Sequence, residues 1–256
     1  MSAPISKTLR TSAGLIFAFL YLPLAALIAF SVNQSSSTVW AGFSMRWYQE
    51  LWSDPQILSA TANSLLIAAT STVLATIIGT LAAYGLWKRQ SRLLVSTVYL
   101  SLVTPEIVMG VALLAFYQAV FRYLDVQLGM HTVILAHISF CFAYVVLVVL
   151  ARLRNMDASL EEAALDLGAT EWQAFYRVTL PCIAPAVAAG ALLAFSTSLD
   201  DYVITSLVAG VDSETLPMVI YAKARRAISP SINALCAIIV VAVGSLVLLS
   251  QRLQRS

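Results

Sequence analysis

Three carboxylates stand in stretches of this chain that carry almost no other charge. Glu106 is alone in the apolar run from Leu93 to Phe121, and Asp200 and Asp201 close a run that is uncharged from Val178 onward. Carboxylates set in apolar sequence attract cations, and such residues in membrane helices usually face a partner or a pathway. Glu106 is the fourteenth residue of its run. A straight helix rising about 1.5 Å per residue would place it near the middle of a bilayer. The alternatives are a protonated Glu106 or one paired with Lys or Arg of a neighbouring subunit. Asp200 and Asp201, being adjacent, point in different directions on a helix, so at most one readily faces a central pathway. Tyr202, Tyr117 and Phe195 are the aromatic residues near them in sequence that can offer a cation the face of a ring. Aromatic residues in membrane helices also serve as packing or interfacial belts.

A second constellation is mechanical rather than catalytic. Glu161-Glu162-Ala163-Ala164-Leu165-Asp166-Leu167-Gly168 is followed, nine residues later, by Val178-Thr179-Leu180-Pro181. Ala163 and Ala164 let a short helix approach another backbone closely, and Glu162 can cap or pair at its start. Gly168 supplies the positive φ that a sharp turn needs. Pro181 fits the first turn of a following helix, where its missing N–H costs nothing. Leu180 precedes it as an apolar anchor.

Other chemistries are excluded. Cys141, Cys182 and Cys236 lie in apolar runs with no second Cys or His at ligand spacing, so neither a disulfide framework nor a metal centre is indicated. His131 and His137 read as packing or interface residues. No Gly-rich phosphate loop occurs, so any ATP must be hydrolysed by another chain. Asp200-Asp201 superficially resembles an acidic motif of intramembrane enzymes, but there is neither a second paired cluster nor a Gly-x-Ser-x-Gly element. A stand-alone secondary transporter would also bury carboxylates but would leave the loop spacing unexplained.

The elements that must hold these residues are membrane helices. Of the 256 residues 60% are hydrophobic and 11% charged, against about 25% charged in a soluble domain. Fifteen Lys and Arg against thirteen Asp and Glu give no basic face for nucleic acid. Six spans are expected, at about 11–32, 63–87, 93–121, 129–151, 180–205 and 230–251, with 152–177 as a loop between the fourth and fifth. The first run is too long for a signal peptide's apolar region. Lys and Arg in alternate connecting segments divide ten to five, which places both termini in the cytoplasm, although Lys223, Arg225 and Arg226 oppose the trend. Outside lies a segment from Asn33 in which Trp47, Tyr48, Leu51 and Trp52 share one helical face, as an interfacial helix would. The expected fold is an all-α membrane protein with a single permease domain spanning 1–256.

The loop spacing resembles the EAA motif of ABC importer permeases: Glu-Ala-Ala, three residues, Gly, nine residues, Ile, one residue, Leu-Pro. Val178 in place of Ile is the one departure, and it keeps a β-branched apolar side chain. Five further segments, WAGFSMRWYQEL, LVTPEIVMGVALL, AHISFCFAYVV, AFSTSLDDYVITSLVAG and TLPMVIYAKARRAISPSINAL, are similar to the C-type inner-membrane permeases of spermidine/putrescine importers. That resemblance implies the type I importer permease fold and transport of polyamines from periplasm to cytoplasm. It further implies a bacterial inner-membrane location, a homologous B-type permease partner, two ATPase copies that bind ATP and Mg²⁺, and a periplasmic polyamine-binding protein. Glu162, Ala163, Ala164, Gly168, Leu180 and Pro181 would then couple to the ATPase. Carboxylates for ammonium groups and aromatic walls for methylenes are what a polyamine requires, so Glu106, Asp200, Asp201, Tyr202 and Tyr117 become the candidate pathway. A permease for another small cationic or amine-containing solute is the alternative.

Overall fold

The structure is a computed structural model that describes residues 7–35, 39–226 and 230–253. The side chains of Lys7, Arg226 and Arg252, and all of Arg255, lie outside the described residues, so the charge count at the termini is not examined by it. The described residues are α-helical apart from connections and an isolated bridge between Asn33 and Phe43. Helices α1 (Lys7–Ser31), α2 (Arg46–Ser53), α3 (Pro55–Arg89), α4 (Arg92–Val103), α5 (Glu106–Leu124) and α6 (Met130–Arg154) come first. They are followed by α7 (Ser159–Asp166), α8 (Glu171–Ala174), α9 (Leu180–Asp200), α10 (Val203–Val208), α11 (Leu216–Arg226) and α12 (Pro230–Leu253). Five stretches are long and apolar enough to cross a membrane: Thr8–Ser31, Pro55–Arg89, Glu106–Leu124, Met130–Arg154 and Glu171–Asp200. The 24-residue α12 occupies the position of the sixth expected span.

The chain divides into two units, residues 1–58 with 219–256, and residues 59–218. In the first, α12 packs on α1 and α2. Asn33, fully buried, ties the connection after α1: its amide donates to Val39 O at 2.9 Å and accepts from Ala41 N at 2.9 Å, while its carbonyl accepts Trp47 Nε1 at 2.7 Å. Leu51 of α2 is buried and Trp47 and Tyr48 half-buried, but Trp52 is 72% exposed, so the expected apolar face turns inward only in part. Asp54 caps α3, accepting from Gln56 N at 3.0 Å, and Pro55 stands at the first helical position, where no N–H is needed. Lys223 lies 2.6 Å from Asp54 and, with the backbone bonds, holds its carboxyl below the ordinary range.

The second unit is built on α6. Its buried residues, among them Val133, Ala136, Val145, Val146 and Val149, meet α9 along most of its length. Small residues permit that approach, as is usual for membrane helices. A Cβ on Gly79 of α3 would stand 2.8 Å from Val145 Cβ, and one on Gly190 of α9 would stand 3.3 Å from Val145 Cα.

Two of the expected spans are broken. The stretch 93–121 is two helices, because Pro105 excludes its predecessor from the helical region: Thr104 has ψ 127° and Pro105 ψ 134°. The stretch 180–205 ends as α9 at Asp200, with Asp201 extended at ψ 126° before α10. The beginning of that span is also different. Pro181 does not open a helix, since α8 runs through a π turn (Phe175–Thr179) into α9 without interruption. The widened turn, closed by Leu180 N on Phe175 O, accommodates a proline ring that would otherwise clash with the carbonyl four residues back.

Candidate functional site

The two breaks open onto one cavity. It has a volume of about 490 Å³ and is bordered by Ser101, Thr104, Pro105 and Glu106 at one break, and by Thr197, Asp200, Asp201 and Tyr202 at the other, with Phe140 and Tyr144 of α6 between. Non-helical backbone in a membrane is tolerated where it lines such a cavity. The twelve residues of α4 rise about 18 Å from Arg92 to the first break, so Glu106 keeps the mid-membrane depth expected for a straight helix, though by a different construction. It is the first residue of α5, exposed, where the positive helix end favours its charge. Asp200 is the last residue of α9, also exposed, at the negative helix end. A carboxylate added to a helix C-terminus makes that rim attractive to a cation.

Asp201 borders the same cavity but turns inward. Its side chain is 6% exposed. Oδ1 accepts Ile204 N at 3.3 Å, and Oδ2 accepts Thr205 N at 2.8 Å and Thr205 Oγ1 at 2.7 Å, so the carboxylate caps α10. Tyr202 borders the cavity. Tyr117 does not: it is 3% exposed and stacked on Phe121 with centroids 5.4 Å apart. Phe195 is half-buried and likewise outside the cavity's border. Tyr144 was not singled out by sequence, although His137, Phe140 and Tyr144 share one helical face by their spacing of three and four.

The loop after α6 is a helix, a turn and a second capped helix. Gly168 has φ +88°, and its N–H bonds Leu165 O at 2.9 Å while Ala169 N bonds Ala164 O at 3.0 Å. That pair of bonds is the Schellman ending of α7. Thr170 then caps α8: Gln173 N donates to its hydroxyl at 3.3 Å, and Thr170 N donates to Gln173 Oε1 at 3.0 Å. Glu162, Ala163, Gly168 and Pro181 are exposed, and Ala164 and Leu180 half-buried.

The residue that sequence reasoning missed here is Glu161. It is 1% exposed, and it binds Lys88 Nζ at 2.6 Å, Tyr84 Oη at 2.6 Å and Thr179 Oγ1 at 3.0 Å. Burial raises its carboxyl pKa, but the bonds from Lys88, Tyr84 and Thr179 outweigh burial and hold it below the ordinary range. Tyr84 also packs on Phe175, centroids 4.6 Å apart. Glu161 thereby fastens the loop helix to the end of α3 and to the π turn.

Residues 75–256 match the family described as binding-protein-dependent transport system inner membrane component. The chain belongs to this family. It is 45% identical to the putrescine transport system permease protein PotI of Escherichia coli (strain K12), over 89% of this chain and 84% of that one. It is 38% identical to the spermidine/putrescine transport system permease protein PotC of the same organism, over 94% and 91%. Its fold is that of a chain in the crystal structure of a bacterial ABC transporter involved in the import of the acidic polysaccharide alginate. There the TM-score is 0.74 with 16% identity, over 98% of this chain and 99% of that one. As a member of this family the chain is an all-α, multi-pass permease component of the inner membrane and not an enzyme.

Proposed function

We propose that this chain is a permease subunit of an ATP-driven importer that moves polyamines, putrescine and spermidine, from periplasm to cytoplasm. The observation that carries the reading is the cavity between two helix breaks, with Glu106 and Asp200 exposed in it and Tyr144, Tyr202 and Phe140 on its border. Two carboxylates suit the ammonium groups of an α,ω-diamine, and the rings suit its methylenes and its charge. Similarity to permeases named for putrescine and for spermidine supports the same solute class.

In this reading both units form one permease domain with its termini in the cytoplasm. The loop at 152–177 faces an ATPase pair, which binds ATP and Mg²⁺, and Leu160 and Leu167, 47% and 90% exposed, offer it an apolar contact beside Glu162. A homologous B-type permease completes the pathway, and a periplasmic binding protein delivers the solute. The test is uptake of radiolabelled putrescine and spermidine into vesicles carrying the complete complex, with and without internal ATP. ATP-dependent accumulation of either amine supports the proposal. Accumulation of another cation but neither amine refutes the solute assignment.

A further inference from the structure

Behind the cavity lies a chain of polar groups that the proposed pathway leaves unused. His137 of α6 is 1% exposed. Its Nε2 is 2.9 Å from Thr205 Oγ1 and 3.5 Å from Asp201 Oδ2, and its Nδ1 is 2.7 Å from Ser198 Oγ. Ser198 Oγ in turn is 3.1 Å from Ser71 Oγ, so α3, α6, α9 and α10 meet at this ring. Phe140, on the border of the cavity, packs against the imidazole with centroids 5.1 Å apart.

The hydrogens can be assigned from the Asp201 end. An ionised carboxylate only accepts, so the 2.7 Å contact uses the single hydrogen of the Thr205 hydroxyl. Thr205 Oγ1 must then accept from His137, which places a hydrogen on Nε2. The ring therefore orients the hydroxyl that holds Asp201, and through Ser198 it also holds the last turn of α9. Asp200, next in sequence, is left exposed in the cavity while Asp201 is 6% exposed.

We infer that His137 is a specificity-determining positioning residue: by locking Thr205 and Ser198 it keeps Asp201 in the α10 cap, so that the cavity presents two carboxylates, Glu106 and Asp200, rather than three. This rests on the polyamine pathway proposed above. Two carboxylates match the two charges of a diamine. A released Asp201 would add a third negative group, which favours a triamine over a diamine.

The test compares apparent KM for putrescine and spermidine in proteoliposomes with the complete complex, per assembled complex, for wild type, His137→Leu, His137→Gln and Asp200→Asn. Leucine cannot donate to Thr205, and the expected result is a rise of about tenfold in putrescine KM, the scale of one buried hydrogen bond. The ratio of putrescine to spermidine KM is expected to rise as well. Glutamine, whose amide carries one donor and one acceptor, is expected to return both values towards wild type. Unchanged KM values in His137→Leu, or a loss of assembled complex with KM and ratio intact, would overturn the inference. If His137→Leu does not assemble, Ser198→Ala and Thr205→Val decide: each removes one hydroxyl of the chain, and an unchanged ratio in both overturns it. Asp200→Asn separates the two proposals. If Asp200→Asn impairs transport while the His137 variants do not, the pathway stands and this inference fails. If Asp200→Asn transports both amines normally, the pathway reading itself has failed.

Discussion

Glu106, Asp200 and Asp201 have the same functional group in three environments, and environment decides what each can do. Asp201 spends its oxygens on the α10 cap, whereas Glu106 and Asp200 are exposed to the cavity. Neutralising either exposed carboxylate removes a charge-assisted contact of about 1.5–3 kcal/mol. If passage there limits the rate, uptake per assembled complex falls roughly ten- to a hundredfold for Glu106→Gln or Asp200→Asn. Asp201→Asn is expected to act mainly on assembly. Glu161 gives a prediction in pH. Its folded carboxyl titrates below the ordinary value, so its stabilising contribution is complete above about pH 5 and is lost as pH falls through the folded pKa. Thermal melts of wild type and Glu161→Gln should therefore differ most above that pH and converge in acid. A pH-independent gap would contradict the assignment. Sequence made Glu162 visible through its motif, but the buried partner is Glu161. Nothing local separates two adjacent glutamates when the deciding groups, Lys88 and Thr179, lie far along the chain.

At the scale of elements, the turn after α7 was legible because its signals are local: two alanines, a glycine, then Thr-x-x-Gln. The spans were legible as apolar runs, but hydropathy reads straight through Thr104-Pro105 and Asp201-Tyr202, where backbone preference and capping break the helices. The proline was a visible signal, and average hydropathy outweighs it only when backbone chemistry is left out. Two glycines make the contrast between turn and packing testable. At Gly168 a Cβ meets nothing within 4 Å, so Gly168→Val is penalised through φ +88° alone. Left-handed backbone costs a non-glycine residue about 1–2 kcal/mol, more when β-branched. Normal membrane assembly with lost coupling is expected. Gly79→Val instead drives a side chain into Val145 and the Phe142 carbonyl, and should reduce the assembled complex itself. Immunodetection of membrane-inserted protein beside uptake distinguishes the two, and identical defects would contradict the assignment.

For the whole molecule, the division of labour is that this chain supplies a pathway and a mechanical contact, and another chain supplies ATP hydrolysis. Purified alone, it should hydrolyse ATP no faster than background. The basic cluster that opposes the charge rule is accounted for in part, because Lys223 is paired with Asp54 and Arg225 lies 4.7 Å from the Tyr221 ring. Such half-exposed pairs contribute about 1 kcal/mol or less, so Lys223→Met should leave uptake close to wild type. The central claim is that an organic dication crosses at a cavity made by two broken helices and lined by two carboxylates. Its most direct test is ATP-driven putrescine uptake by proteoliposomes containing the complete complex with the Glu106→Gln/Asp200→Asn double variant. Uptake reduced at least about a hundredfold per assembled complex, with unchanged putrescine affinity of the separate binding protein, is the predicted result. Uptake near wild type would contradict the account.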